Sequence, residues 1–201
     1  MVDVRVFQML GFFVERDFLA RDDCGRIRSE MTHSRAEPAG VVHDGKIVLD
    51  LGHRSTKRVG VGDASVRLVE ERLASVHKSL ERHFGMPLRG WQEPQFLRYA
   101  SGGFFRLHAD TNDLDGSPEF LKQRKVSAII FLGHPSAGGS TVVDRGGDLV
   151  FRGLIDDPRI LDRGFSFSHD EGTFLAFPST VSHEVTTVTS GQRYTVATWF
   201  F

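Results

Sequence analysis

The feature that most constrains the fold is a series of short strand-like runs in the second half of the chain. Eight runs rich in β-branched and aromatic residues are separated by Gly, Pro, Ser and Asp, at 95–100, 104–109, 126–132, 140–143, 149–152, 173–177, 183–188 and 193–201. Short strands at turn-punctuated intervals are typical of a barrel or jelly roll. We therefore predict a mainly β core of the α+β class in residues 94–201.

Residues 1–93 are expected to support this core with helices and loops. The clearest predicted helix covers residues 64–84, where apolar side chains recur every three or four positions, with Asp63 as its N-terminal cap. A second helix is expected between residues 18 and 31, and a short strand at residues 4–7. No repeat or low-complexity linker divides the chain, which predicts a single domain over residues 1–201.

Composition narrows the classes of partner and compartment. The 201 residues are 40% hydrophobic with a formal net charge of −1, and they contain no block of like charges, so a nucleic-acid or membrane partner is not expected. A single cysteine, Cys24, excludes an internal disulfide, a thiolate zinc site and a Cys-ligated iron–sulfur cluster. Because the start of the chain lacks a signal-peptide pattern and no long apolar run occurs, we expect a soluble cytoplasmic protein.

A metal site is predicted from the spacing of three side chains. His108 and Asp110 are two residues apart at the end of a strand-like run, so they share one face. His183, on another predicted strand, is the expected third ligand. Two imidazoles and a carboxylate on one face of an ion suit non-haem Fe(II), which needs open positions for a cosubstrate and O2. Zn(II) with the same ligands and a water is the alternative.

An anion site is predicted ten residues after His183. Strand alternation places Arg193 and Thr195 on the same face, directed into the barrel. A guanidinium fork suits bidentate binding of a carboxylate, and an internal pair with Asp or Glu is the alternative.

Residues 95–201 resemble the 2-oxoglutarate/Fe(II)-dependent dioxygenases, in particular their prolyl 4-hydroxylase-like branch. The matching segments are FLRYASGGFFRLHAD (96–110), GGST (138–141), FPS (177–179), HEV (183–185) and SGQRY (190–194). Collagen-type enzymes of this branch commonly carry Lys where this chain has Arg193, a difference that bears on the subgroup. The resemblance implies a double-stranded β-helix, a jelly roll of the cupin-like barrel type, for residues 94–201, with the helices of residues 1–93 packed against it.

The resemblance also implies the roles of individual residues. His108, Asp110 and His183 would bind Fe(II), and 2-oxoglutarate would chelate the iron through its keto oxygen and C1 carboxylate. Its distal carboxylate would meet Arg193. Further contacts to the cosubstrate are expected from Tyr99, Thr195, Ser127 and Thr141. No catalytic residue is expected beyond the metal ligands, because the metal and the keto acid carry the redox chemistry.

The implied activity is hydroxylation of an unactivated C–H of a peptidyl residue or a small molecule, with release of succinate and CO2. A non-catalytic, metal-binding cupin-like module and a nucleobase-repair oxygenase are the alternatives. The near-neutral charge disfavours the nucleobase enzyme. The long charged interval 145–170 is either a solvated surface excursion or a lid over the site.

Overall fold

The computed structural model describes residues 4–43, 46–111, 117–133, 145–157 and 163–201. The helices are α1 (Val4–Met9), α2 (Arg21–His33), α3 (Asp63–Phe84) and α4 (Glu119–Lys122). The strands are β1 (Phe13–Glu15), β2 (Ala36–Pro38), β3 (Val41–His43), β4 (Lys46–Val48), β5 (Arg54–Ser55), β6 (Lys57–Val59), β7 (Gln95–Tyr99), β8 (Phe104–His108), β9 (Val126–Phe131), β10 (Leu149–Phe151), β11 (Phe165–Ser166), β12 (Phe174–Pro178), β13 (His183–Val185) and β14 (Arg193–Phe200). The strand expected at 140–143 lies outside the described residues.

Two antiparallel sheets form the core of the fold. The larger has seven strands in the order β1-β12-β9-β14-β7-β6-β2, and the smaller has five in the order β11-β10-β13-β8-β5. Strands β3 and β4 form a separate hairpin. Sequence neighbours such as β12 and β13 lie in different sheets, as in a jelly roll. The predicted double-stranded β-helix is confirmed.

The two faces of the seven-stranded sheet have different neighbours. On one face, α2 and α3 contribute an apolar stripe that includes Ile27, Leu73 and Leu80, and the strands contribute residues such as Val196. The other face contributes to an aromatic cluster whose members include Phe7, Phe12, Phe151 and Phe177. Helices therefore buttress the sheet, as predicted, and the opposite face is available for a site.

The first 93 residues supply strands as well as helices. Strand β1 pairs with β12 and β6 pairs with β7 in the larger sheet, whereas β5 pairs with β8 in the smaller. The helical residues share one buried cluster with strands from the second half of the chain. We therefore propose that residues 1–201 fold as one domain, in which the N-terminal region is part of both sheets.

The expected strand at residues 4–7 is wrong, because these residues form the helix α1. Its alternating apolar pattern resembles a strand, but Phe7 is fully buried against Phe12, Phe151 and Phe167. A helix one to two turns long delivers this single side chain to the aromatic cluster. Tertiary packing has overridden local propensity here.

The expected cap of α3 is also wrong. Gly62, not Asp63, is the N-cap, and no side chain caps the helix in the usual way. The Glu30 carboxylate of α2 instead accepts hydrogen bonds from the Gly62 N–H at 2.9 Å and from the Ser65 hydroxyl at 3.0 Å. These two hydrogen bonds between α2 and the start of α3 replace a local cap.

Part of the interval 145–170 is built into the core of the fold, and its role as a lid stays a prediction. Strand β10 is buried within the five-stranded sheet, and Phe151 is fully buried in the aromatic cluster. Leu154 packs against the same cluster. Ile155, in the same interval, is exposed, and Ile160 and Leu161 lie outside the described residues.

Candidate active site

Strand register brings the two histidines together. Strands β8 and β13 are antiparallel, and His108 and His183 are direct partners across them. Asp110 follows the end of β8, and its backbone N–H donates to the Ser179 carbonyl oxygen at 3.0 Å, which ties this turn to the end of β12. The ligand atoms of the three side chains all lie within 4.8 Å of one another. Among the described residues, they form the one cluster of this kind.

The imidazole nitrogens are oriented as a metal site requires. His108 Nδ1 lies 2.8 Å from the Arg106 carbonyl oxygen, and His183 Nδ1 lies 2.9 Å from that of Val181. A carbonyl can only accept, so each Nδ1 carries a proton, and in the neutral imidazole this leaves the lone pair on Nε2. The two Nε2 atoms lie 3.6 and 3.5 Å from the carboxylate oxygens of Asp110. These separations are long for hydrogen bonds and suit atoms directed at a common ion.

The protonation states also favour a cation. Burial and the neighbouring His108 together lower the pKa of His183 to about 4, although Asp110 acts to raise it, so the imidazole is neutral at pH 7. Burial acts to raise the pKa of Asp110, but His183, His108 and the Ser127 hydroxyl outweigh it and hold that pKa below its usual range. The neutral imidazole of His183 and the carboxylate of Asp110 are the kinds of ligand that a divalent metal ion binds. The residues present therefore fit the ion that the sequence predicts.

The Ser127 hydroxyl lies against the Asp110 carboxylate, and its expected contact with the cosubstrate stays a prediction. Its hydroxyl oxygen lies 2.7 Å from Oδ2 of Asp110 and 3.0 Å from the Ser179 hydroxyl oxygen, and the side chain is buried. A carboxylate can only accept, so Ser127 donates its hydrogen bond to Asp110 and accepts one from the Ser179 hydroxyl. The hydroxyl therefore orients the carboxylate.

Arg193 is a buried cation with unused donors. Its side chain is 4% exposed, and Nη1 donates to Thr195 Oγ1 at 3.3 Å. Nε and Nη2 are buried and have no hydrogen-bond partner among the described residues. Leaving buried donors unpaired costs about 1–3 kcal/mol each, so a ligand is expected to complete this group. The alternative of an internal ion pair with Asp or Glu is not observed in the described part of the chain.

Tyr99 forms one wall of the Arg193 site. The two residues are Cα partners across β7 and β14, and the Arg193 guanidinium carbon lies 5.1 Å from the centroid of the Tyr99 ring. Burial lowers the pKa of Arg193, while Tyr99 and Asp148 act to raise it. Alternation along β14 also places Tyr194 on the helix-facing side, opposite Arg193.

One cavity of ≈ 410 Å³ joins these groups. Its lining includes the predicted site residues Tyr99, His108, Asp110, Ser127, His183, Arg193 and Thr195. Thr141, the remaining candidate, lies outside the described residues. A cavity of this size is typical of small-molecule and cofactor sites.

Two arginines of the cavity were not found from the sequence. Arg124 donates to the Asp110 carbonyl oxygen at 3.2 Å and twice to Gln92 Oε1, and its guanidinium carbon lies 3.6 Å from the centroid of the Trp199 ring. Burial lowers its pKa to about 10. Arg54, on β5, lines the same cavity. No spacing or motif marks either residue, because each reaches the site through contacts with distant segments: Arg54 through the pairing of β5 with β8, and Arg124 through hydrogen bonds to Gln92 and Asp110.

Comparison with known proteins identifies the family. Residues 94–201 match the family model of the 2OG-Fe(II) oxygenase superfamily. The chain belongs to this superfamily. Membership implies Fe(II), 2-oxoglutarate and O2 as the cofactor and cosubstrates of this 2OG-Fe(II) oxygenase, in agreement with the His-Asp-His cluster.

Curated relatives of this oxygenase are named as hydroxylases. A PKHD-type hydroxylase of Shewanella sp. (strain ANA-3) is 31% identical over 114 residues, which cover 57% of this chain and 44% of the relative. The chain thus spans less than half the length of the curated relatives it matches.

Solved structures confirm the fold of this oxygenase. A Pseudomonas putida prolyl-4-hydroxylase superimposes with a TM-score of 0.66 at 21% identity, covering 94% of this chain and 91% of that one. A Trichoplax adhaerens prolyl hydroxylase, solved with a hypoxia inducible factor peptide fragment, also has a TM-score of 0.66, at 16% identity and with 98% and 86% coverage. Among the described residues, no helix combines the length and the apolar character needed to cross a membrane.

Proposed function

We propose that this chain is an Fe(II)- and 2-oxoglutarate-dependent hydroxylase. It would convert a C–H group, 2-oxoglutarate and O2 into the hydroxylated product, succinate and CO2. The observation that carries the proposal is the position of two groups in one cavity. Converging ligand atoms of His108, Asp110 and His183 lie in the cavity that also holds the unpaired guanidinium of Arg193.

Each residue has a distinct task in this proposal. His108, Asp110 and His183 would hold Fe(II), which with 2-oxoglutarate supplies the oxidising chemistry when bound. Arg193 would bind the distal carboxylate of the cosubstrate through its free Nε and Nη2, beside Thr195 and Tyr99. Burial of these groups excludes water, which strengthens their interactions with charge.

A peptidyl residue is the first candidate substrate, and a small molecule is the second. The Trichoplax neighbour is a prolyl hydroxylase bound to a peptide, and the Pseudomonas neighbour is a prolyl-4-hydroxylase. These likenesses support a peptidyl substrate because the shared fold covers 94% and 98% of this chain.

Mass spectrometry after incubation with Fe(II), 2-oxoglutarate and O2 tests the function. We expect succinate to form and one oxygen atom to be added to a proline-containing peptide, or to a small molecule in the parallel arm. The Asp110→Ala variant is the matched control and should give neither product. Wild-type protein that binds Fe(II) but forms no succinate from 2-oxoglutarate would instead be a non-catalytic metal-binding module.

A further inference from the structure

A second buried guanidinium faces the cavity from the N-terminal region. Arg54 is 8% exposed, and its Nη1 donates to the Gly40 carbonyl oxygen at 3.0 Å. Its Nε is buried and has no hydrogen-bond partner among the described residues. No carboxylate among the described residues forms an ion pair with Arg54. An uncompensated buried charge of this kind is costly unless a ligand completes it.

Arg54 is held close to the candidate metal centre. It is the Cα partner of Phe105 across β5 and β8, and its guanidinium carbon lies 4.5 Å from the centroid of the Phe105 ring. The Phe105 ring in turn stacks on the His108 imidazole, with centroids 3.6 Å apart and planes at 18°. One aromatic ring thus contacts both the cation and a metal-ligand histidine.

Most of the other charged groups that line the cavity already have bonding partners. Arg58 pairs with Glu93 at 2.8 Å. Arg124 is bonded to Gln92 and to the Asp110 backbone, and Asp110 faces the two histidines. Glu37 also lines the cavity but forms no ion pair with Arg54.

Two cations therefore remain without an anion in the described structure, Arg54 and Arg193. Burial lowers the pKa of Arg54, and Tyr99 and Asp110 act to raise it. An arginine keeps its proton in such a setting, so the positive charge persists at pH 7.

We propose that Arg54 binds a carboxylate of the substrate, and hence that this oxygenase hydroxylates an anionic molecule. The inference rests on the proposed function, in which one carboxylate of 2-oxoglutarate meets the metal and the other meets Arg193. Neither is then left for Arg54. The Nη1 bond to Gly40 fixes the guanidinium in place, and the free Nε offers a charge-assisted donor to a carboxylate. That carboxylate belongs either to a small acid or to an acidic side chain of a peptide.

Binding to the oxygen-free enzyme loaded with Fe(II) and 2-oxoglutarate tests this without turnover. Two matched probe pairs are titrated by calorimetry: N-acetylproline against N-acetylprolinamide, and acetyl-Gly-Pro-Asp-Gly-amide against acetyl-Gly-Pro-Asn-Gly-amide. In one pair the acid should bind at least about tenfold more tightly than the amide, the effect of one charge-assisted bond. The pair that discriminates shows whether the carboxylate belongs to a small acid or to a peptide side chain.

Two variants show which residue causes the preference for the acid over the amide. Arg54→Gln should reduce the ratio of acid affinity to amide affinity to less than about twofold. The glutamine side chain can still form hydrogen bonds, but it lacks the positive charge of arginine. Arg58→Gln is the matched control, because Arg58 lines the same cavity but is already paired with Glu93, and it should leave the ratio unchanged. The wild-type ratio alone can overturn the proposal, so the test does not depend on the stability of a variant.

Three outcomes separate this inference from the proposed function. Equal or undetectable binding of acid and amide by the wild type overturns the role of Arg54, even if 2-oxoglutarate is converted to succinate. A rise in the 2-oxoglutarate KM of Arg54→Gln equal to that of Arg193→Ala assigns Arg54 to the cosubstrate and also overturns it. Absence of 2-oxoglutarate-dependent succinate formation contradicts the proposed function, whereas the probe ratio still reports on Arg54.

Discussion

The hydroxyl oxygen of Ser127 lies 2.7 Å from Oδ2 of Asp110, so a strand of the larger sheet holds the carboxylate that follows a strand of the smaller one. Ser179, at the end of the neighbouring β12, extends this contact through its own hydroxyl and accepts the Asp110 N–H at its carbonyl oxygen. Asp110 is thereby oriented by groups outside its own turn. Outer contacts of this kind set the orientation of metal ligands.

Replacing Ser127 with Ala should weaken Fe(II) binding by about 10–100-fold, because the carboxylate loses its orienting donor. At saturating iron, the 2-oxoglutarate KM should change by less than about twofold, since the hydroxyl is directed at Asp110 rather than at the cosubstrate. Iron titration and steady-state kinetics measure the two effects. Ser179→Ala, one bond further from Asp110, is the control and should have the smaller effect on iron affinity. A raised KM with unchanged iron affinity would restore Ser127 to a direct cosubstrate contact.

Asp110→Ala should abolish iron-dependent succinate formation without unfolding the chain. The variant removes the one anionic ligand of the proposed site, and the remaining imidazoles hold the ion poorly. Iron content, succinate formation and thermal unfolding are the measurements. Retention of full iron-dependent succinate formation would show that the metal is bound elsewhere.

Arg193→Ala should raise the 2-oxoglutarate KM by about ten- to a hundredfold or more, because charge-assisted hydrogen bonds contribute about 1.5–3 kcal/mol each. Thr195→Val, which removes only the hydroxyl that accepts from Nη1, is expected to have a smaller effect. Initial rates at varied 2-oxoglutarate concentration provide both values. An unchanged KM in the alanine variant would move the carboxylate site to another group.

Gly147 supports Arg193 by leaving space beside it. Its φ is +71°, and an added Cβ would lie 2.9 Å from Cγ2 of Val188 and 3.1 Å from Cδ of Arg193. Gly147→Ala should therefore raise the 2-oxoglutarate KM by about three- to tenfold, less than the loss of the guanidinium itself.

Gly153→Ala is the matched control for this effect. Its φ is +67°, so alanine meets a similar backbone cost of about 1–3 kcal/mol, but no atom lies within 4 Å of the added Cβ. Both variants should lose thermal stability, whereas the KM should rise only in Gly147→Ala. Equal KM values would show that Arg193 tolerates the added methyl group.

Most of the fold and the central residues of the site could be predicted from local periodicity in the sequence. The alternation of strands predicts that His108 and Asp110 share a face, and that Arg193 and Thr195 share another; the structure brings all four to one cavity. The 3.6-residue period likewise predicts α3 almost to its ends, and its buried stripe. These features depend on residues close together in the chain, so the sequence determines them directly.

Contacts between distant segments were decided only by the tertiary structure. Arg54 reaches the cavity because β5 pairs with β8, and Ser127 meets Asp110 because two sheets face each other. Residues 4–7 form a helix because Phe7 fills a place in an aromatic cluster that the rest of the chain creates. Strand register and sheet packing are set by the sum of many non-local contacts, and no single segment of the sequence contains that information.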